Sequence, residues 1–362
     1  MFTYWPDNYT WSYQLVRALA EAHFGGGDTG EILAAAESIM PGDTDSWKRA
    51  WLRTAEEVAG LAADATGPAA EDAWKRASNY YRMGSFFLPH GDPDEHVLYR
   101  RGAEAFRRGV PHLEEVRIPF EGRAMHAFFA TPPGSVGPMP AVILLGGLES
   151  LAEEVYFVAG VAALRYGFAC LVLEGPGQGG TLREEGIVSR AAYENPIAAA
   201  VDYLQARPEV DAERIGMVAY SLGGYYVCRA AAFEHRLRAC VAWGAEYDYS
   251  EVWDGRPDNH PLAPHLMGTL GVATMSKARR ILRDFNLRGI ASRIECPLLI
   301  LHGEEDRHVP LSHAQRTYDE VHGPKELKIF PAGHPGSIHC QWDAPNRAHA
   351  VMFSFLRHYL FL

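Results

Sequence analysis

The chain has 362 residues, a formal net charge of −11, 48% hydrophobic and 22% charged residues, a globular composition with room for one large domain and an accessory one. The acidic balance argues against nucleic acid or an anionic membrane surface as partner, and no apolar run reaches the roughly 18 residues needed to span a bilayer. Five scattered cysteines read as buried thiols of a reducing compartment, and no basic segment precedes an apolar run at the N-terminus, so the expected location is cytoplasmic.

Residues 1–112 read as a helical domain. Apolar residues recur at three- and four-residue spacing over Trp11–Ala20, Gly30–Met40, Trp47–Ala63, Ala69–Phe87 and Asp94–Arg108. Breakers separate these runs: Gly25-Gly26-Gly27, Pro41-Gly42, Gly67-Pro68 and Pro89 to Pro93. Asp45, and Asp92 or Asp94, are the expected helix N-caps. Tyr80, Tyr81, Phe86 and Phe87 cluster in one window. They read as helix-bundle core, with Tyr81 a candidate to line a pocket shared with the second domain.

From residue 113 the period changes to 2. Two alternating runs joined at Glu121-Gly122 read as a hairpin. Apolar strands then alternate with helices up to a closing helix over Ala344–Leu360, which means a mostly parallel sheet covered on both faces. Residues 113–362 are the expected α/β domain. Residues 247–293 interrupt the alternation and read as a lid-like insertion.

The chemistry centres on Arg214 to Tyr225, where a strand ends in Ser221-Leu222-Gly223-Gly224 and a helix follows. That is the pattern of a nucleophile elbow, in which a strained turn lifts a serine hydroxyl above the sheet. Ala219 stands where a glycine is usual, and a plain serine N-cap is the competing reading. A serine needs a base and a carboxylate to orient that base. In a doubly wound sheet these should follow later strands, acid before histidine. Asp306 follows the strand Leu298–Leu301, and His334 follows Leu327–Phe330 on a Gly333 turn. Ser221, Asp306 and His334 are therefore the expected triad. Glu304 and Glu305 read as solvated loop acids, His339 as the alternative base, and His302, His308 and His313 as structural or exposed. The histidines make no H-E-x-x-H pattern, so neither a metal nor another cofactor is expected. The oxyanion donors should be the Leu222 amide, at the helix N-terminus, and the Leu148 or Gly147 amide in Gly146-Gly147-Leu148-Glu149-Ser150. Gly175-Pro176-Gly177-Gln178-Gly179 lacks the lysine of a phosphate loop and reads as a rigid turn. Tyr220, beside the serine, and Trp253 and Glu246, after the next strand, are candidate substrate contacts.

These motifs, with Glu153-Glu154 and Asp306 to Pro310, resemble the α/β-hydrolase superfamily over nearly the whole chain. More narrowly, the chain resembles the branch with an N-terminal helical domain that includes 2,6-dihydroxypseudooxynicotine hydrolase, FrsA-like esterases and fungal polyketide-shortening hydrolases. The resemblance implies an α/β-hydrolase fold and a hydrolase acting on a small molecule held between helical domain and sheet. Several members cleave a C–C bond between an acyl group and an electron-rich ring; others are esterases, and an acyltransferase would use the same acyl-enzyme. A ligand-binding protein on the same scaffold is the alternative from a different class. Glu246, Asp248 and Glu251 follow the strand ending at Trp243, and the resemblance, which points to a glutamate in this part of the chain, ranks Glu251 first. A homodimer through the aromatic helices is a further expectation.

Overall fold

The computed structural model describes residues 3–361. The first five helices are α1 (Tyr9–Ala22), α2 (Thr29–Glu37), α3 (Thr44–Asp64), α4 (Pro68–Ser85) and α5 (Pro93–Gly109). Their starts are chemically marked. Asp28 and Asp92 accept backbone N–H bonds at α2 and α5, and Asp43, rather than Asp45, caps α3 by accepting from Asp45 N and Ser46 N at 3.0 and 3.2 Å. Pro68 and Pro93 sit in the first turns of α4 and α5, where the missing N–H costs nothing.

The sheet contains β1 (Glu114–Phe120), β2 (Arg123–Ala130), β3 (Met139–Leu145), β4 (Ala169–Glu174), β5 (Val210–Tyr220), β6 (Leu237–Trp243), β7 (Leu298–Gly303) and β8 (Lys325–Phe330). Their spatial order is β1-β2-β4-β3-β5-β6-β7-β8. β1 and β2 are antiparallel to their neighbours, and the remaining pairs are parallel. Glu121 and Gly122 both take positive φ (49° and 77°), which closes the β1–β2 hairpin with the twist the strands need. The central strands are apolar throughout because both faces are covered.

The connecting helices are α6 (Ala152–Val155), α7 (Val161–Arg165), α8 (Gly179–Arg183), α9 (Glu194–Gln205), α10 (Leu222–Phe233), α11 (Tyr249–Asp254), α12 (Ala263–Leu270), α13 (Met275–Leu282), α14 (Leu311–Glu320) and α15 (Pro345–Phe361). The glycine-rich stretch expected to be a turn is a turn that leads into α8. The insertion carries the trio α11–α13, and its two ends pair with each other through an isolated antiparallel bridge between Asp248 and Asn286. α9, α10 and the insertion pack on one face of the sheet, and α7 and α15 on the other.

α1 joins the two halves of the molecule. Trp11, Leu15 and Ala18 point into the core of the helical half with Trp47, Trp51 and Tyr80. Tyr13, Val16 and Ala20, on another face of the same helix, pack into the layer over the sheet. Two apolar stripes on one helix make it a buried connector rather than a surface element. Among the described residues, no helix is long and apolar enough to cross a membrane.

Candidate active site

Ser221 lies between β5 and α10 with φ 58° and ψ −126°, a conformation that costs a non-glycine residue of order 1–3 kcal/mol. The surroundings over-determine it: Ser221 N donates to the Trp243 carbonyl at 2.8 Å, and Gly224 N donates to the Ser221 carbonyl at 2.6 Å. A Cβ on Gly223 would lie 2.6 Å from the Gly146 carbonyl and 3.0 Å from the Ala219 methyl. The glycine at 223 thus leaves space for the alanine that breaks the strict motif.

β7 delivers the carboxylate. Asp306 Oδ1 accepts from the amides of His308 (2.8 Å) and Val309 (2.9 Å), which aims Oδ2 at Nδ1 of His339, 2.6 Å away. His339 Nε2 lies 2.8 Å from Ser221 Oγ. The side chains of Asp306 and His339 are 0% and 5% exposed. Burial alone would raise the Asp306 carboxyl, but the facing imidazole and its hydrogen bond outweigh that and hold it at about 2.

His339, not His334, is therefore the histidine between serine and aspartate. Pro331 to Pro335 form an exposed turn in which His334 Nδ1 lies 3.0 Å from the Ala332 carbonyl. Gly333 does make the tight turn expected of it (φ 73°), but that turn faces solvent. The chain then dives inward through Ser337 and Ile338 and carries His339 over the sheet. Glu304 and Glu305, expected to be solvated loop acids, hold this turn: they accept from Ala332 N (2.8 Å), Gly333 N (3.2 Å) and Ser337 Oγ (2.5 Å). Tyr13 of α1 reaches across to donate its hydroxyl to the His339 carbonyl at 3.2 Å. The signal for His339 was its setting: Ile338, Cys340 and Trp342 are apolar and want burial, whereas His334 stands among glycine and prolines.

The loop after β3 lies against the serine; a Cβ on Gly147 would be 2.8 Å from Ser221 Cβ. Gln178 Nε2 donates to the carbonyls of both Gly146 (2.9 Å) and Gly147 (2.8 Å), while its Oε1 accepts from Gly175 N (3.1 Å). A trans peptide points N–H opposite to C=O, so the amides of Gly147 and Leu148 face away from Gln178. Leu222 opens α10, so its N–H is among the first four of the helix, which lack an intrahelical acceptor.

Glu149, with φ 54°, ends the loop in a buried cluster of charges. It accepts from Arg183 Nη2 at 2.5 Å and pairs with His265 Nδ1 of α12; Arg183 Nε also donates to Glu95 at 2.7 Å. His90 adjoins the two carboxylates, with ligand atoms within 4.8 Å of one another, and Arg183 supplies the positive charge there. Burial would raise the Glu149 carboxyl; His265 and Arg183 instead hold it at about 2. A carboxylate depressed on folding stabilises above its unfolded value and loses that contribution as pH falls through the folded value. Glu149 and Asp306 should therefore give an acid limb, with stability falling from about pH 4 toward 2 at up to roughly 1.4 kcal/mol per pH unit for each group. Thermal melts across that range check it. Asp306→Asn should flatten the limb, and an unchanged slope would remove Asp306 from the account.

A cavity of about 930 Å³, open mouth included, lies over Ser221 and His339. Its walls come from α1 (Tyr13, Arg17), α4 (Arg82) and the Phe86 that follows it, the loop after β3, and the insertion (Tyr249, Val252). Of the expected substrate contacts, Glu246 and Tyr220 line it. Tyr220 is anchored from behind, its hydroxyl donating to Glu154 at 2.9 Å. Glu246 is 2% exposed, its Oε2 has no hydrogen-bond partner among the described residues, and burial pushes its carboxyl well above the usual range.

The other three expected contacts lie elsewhere. Glu251 is exposed and paired with Arg316 at 2.6 Å, because α11 turns Tyr249 and Val252 inward and position 251 outward. Tyr81 is buried within the helical half under the Arg101 guanidinium, and Trp253 packs on Tyr249 and His260 behind the wall.

Comparison with known proteins gives a consistent picture. A prolyl oligopeptidase family model matches residues 167–360, and an esterase FrsA-like model matches residues 36–250. Hydrolase acrC of Aspergillus aculeatus is 31% identical over 359 residues, 83% of each chain. Hydrolyase poxO of Penicillium oxalicum is 34% identical over 262 residues, 67% of this chain and 61% of that one. The crystal structure of 2,6-dihydroxy-pseudo-oxynicotine hydrolase superposes with a TM-score of 0.77 at 27% identity, covering 94% of this chain and 95% of that one.

Proposed function

We propose, from the premise that this chain belongs to the α/β-hydrolase family and is a hydrolase, that it is a serine hydrolase acting through Ser221, His339 and Asp306 on an acyl-aromatic or polyketide-like small molecule. The observation that carries this reading is the unbroken hydrogen-bond chain from Asp306 through His339 to Ser221 at the floor of a cavity.

The favoured reaction is hydrolysis of a C–C bond next to a ketone. Ser221 Oγ attacks the carbonyl while His339 Nε2 takes its proton. The negative charge on the carbonyl oxygen is held by the Leu222 amide and by the Leu148 or Gly147 amide. When the tetrahedral adduct collapses, the C–C pair leaves on a ring or enolisable carbon, and the His339 imidazolium protonates that carbon. Water, deprotonated by His339, then attacks the acyl-Ser221 ester and releases a carboxylic acid. An alkoxide leaving group makes the same site a carboxylesterase, a reading favoured by the match to the FrsA-like esterase model.

Intact mass after treatment with a fluorophosphonate tests the nucleophile. One adduct on the wild type and none on Ser221→Ala is the expected result, and Ser221→Ala turning over substrate like the wild type would sink the proposal. Product analysis with acyl-phenols against aryl esters then separates carbon from oxygen as the leaving atom.

Gln178 acts in this scheme as a positioning residue for the oxyanion amides. Gln178→Leu should lower kcat by about 10- to 100-fold with a much smaller change in KM, since displaced donors are lost mainly in the transition state. A boronic acid that mimics the tetrahedral adduct should weaken in parallel. Equal losses in kcat and in ground-state binding would mean that Gln178 only shapes the pocket.

A further inference from the structure

The charges around the cavity do not balance. Arg17 and Arg82 are matched by Glu154 and Glu21, and Arg183 by Glu95 and Glu149. Arg256, which follows α11 in the insertion, also lines the cavity. Among the described residues it is in no ion pair. Its guanidinium lies 4.7 Å from the centre of the Trp253 ring, and Nη2 donates to the His308 carbonyl at 3.1 Å. A guanidinium has five N–H donors, so this leaves most of them unused.

The neighbouring groups do not neutralise it. Glu246 is within electrostatic range of Arg256, but no oxygen comes within ion-pairing distance, and its Oε2 is buried without a partner. Burial pushes that carboxyl well above its usual range, against the pull of Arg256, and so disfavours its charged form. His308 Nε2 is likewise buried and unpartnered, and burial holds the ring neutral. Trp253 offers its ring face, which steadies the guanidinium without cancelling its charge. One wall of the cavity therefore carries an uncompensated positive charge beside two polar atoms with no protein partner.

We propose that Arg256 forms a subsite for an anionic oxygen on the substrate, a carboxylate or an acidic phenolate, so that the preferred substrate is an acyl compound bearing such a group. Charge-assisted bonds from a fixed, partly desolvated guanidinium are strong and discriminate against neutral analogues. The consequence for turnover rests on the serine-hydrolase reading; the binding itself does not.

The test begins with binding. Ser221→Ala protein is titrated by calorimetry with benzoate, with 4-nitrophenolate at pH 8 and with neutral benzamide. At least one anion should bind about tenfold or more tightly than benzamide, and Arg256→Met in the same background should abolish that preference while Arg256→Lys keeps part of it. Tight benzoate assigns the subsite to a carboxylate, tight nitrophenolate to a phenolate. Benzamide binding as well as both anions, or a preference that survives Arg256→Met, overturns the proposal. If Arg256→Met melts early, Arg256→Gln replaces it.

Turnover supplies the second arm. The ratio of kcat/KM for 3-carboxyphenyl butyrate over phenyl butyrate should fall about tenfold or more in Arg256→Met. Failure of the serine reading would show separately, as phenyl butyrate hydrolysis that survives Ser221→Ala.

Discussion

His339→Ala is expected to lower kcat by about 10⁴-fold or more, and Ser221→Ala by a similar factor, because members of such a unit fail together. His334→Ala should stay within about threefold of the wild type, as an exposed turn residue remote from the reacting atoms. The two histidines are five positions apart in sequence, but only His339 reaches Ser221 Oγ, at 2.8 Å. Steady-state kinetics on an aryl ester, with circular dichroism to confirm folding, decides between them. Loss of activity in His334→Ala together with an active His339→Ala would reverse the assignment of the base. His339→Gln is a useful companion, since it keeps most of the volume and the polar contact but cannot shuttle a proton. It should be nearly as inactive as the alanine variant.

The second large effect concerns the junction between helical half and sheet. Arg82 of α4 is 4% exposed and donates from Nε to Asn79 Oδ1 at 2.8 Å, from Nη1 to Glu154 of α6 at 3.4 Å, and from Nη2 to Glu21 of α1 and to Met83 Sδ at 3.5 Å. Glu154 is also held by Arg17 and by the hydroxyl of Tyr220, the residue before Ser221. Such a network contributes little net stability relative to an apolar core, but removing one partner strands a buried charge. Arg82→Met should therefore cost about 3–5 kcal/mol, read as an earlier urea midpoint. The carboxylate left most exposed to this loss is Glu21, which is 0% exposed. Adding Glu21→Gln to Arg82→Met should recover part of the loss, as coupled sites are not additive. A loss below about 1 kcal/mol, or a strictly additive double variant, would contradict this view of the junction.

How legible the molecule was from its sequence differs from element to element. The five N-terminal helices follow from apolar spacing between Gly and Pro breakers, and the β1–β2 hairpin from Glu121-Gly122. The elbow at Ser221 is legible because strand, strained turn and helix are consecutive, with Gly223 two residues on to admit the Gly146 backbone. Asp306 is legible because it sits at the end of β7 and its turn is closed by its own neighbours, His308 and Val309. These are local features, set by residues within a few positions of one another.

His339 is different. A turn rule selects His334, because Gly333 does make a tight turn; the rule is silent on which way the turn faces. What brings His339 to Ser221 is the burial of Ile338 and Trp342 and the grip of Glu304 and Glu305 on the preceding turn, from a loop about 30 residues earlier in the chain. Glu251 shows the same limit. It is in the segment where a rim glutamate was expected, but the pitch of α11 sends it outward to Arg316, and Glu246, just beyond β6, faces the cavity instead.

The sequence by itself determined the fold class, the helical and sheet segments, the strained strand–turn–helix at Ser221 and the strand-end carboxylate, since periodicity and turn chemistry act over short stretches. Only the tertiary structure decided which histidine completes the hydrogen-bond chain, which acids face the cavity and which of the arginines lining it is left without an ion pair, because each of these depends on segments far apart in the chain meeting in a buried space.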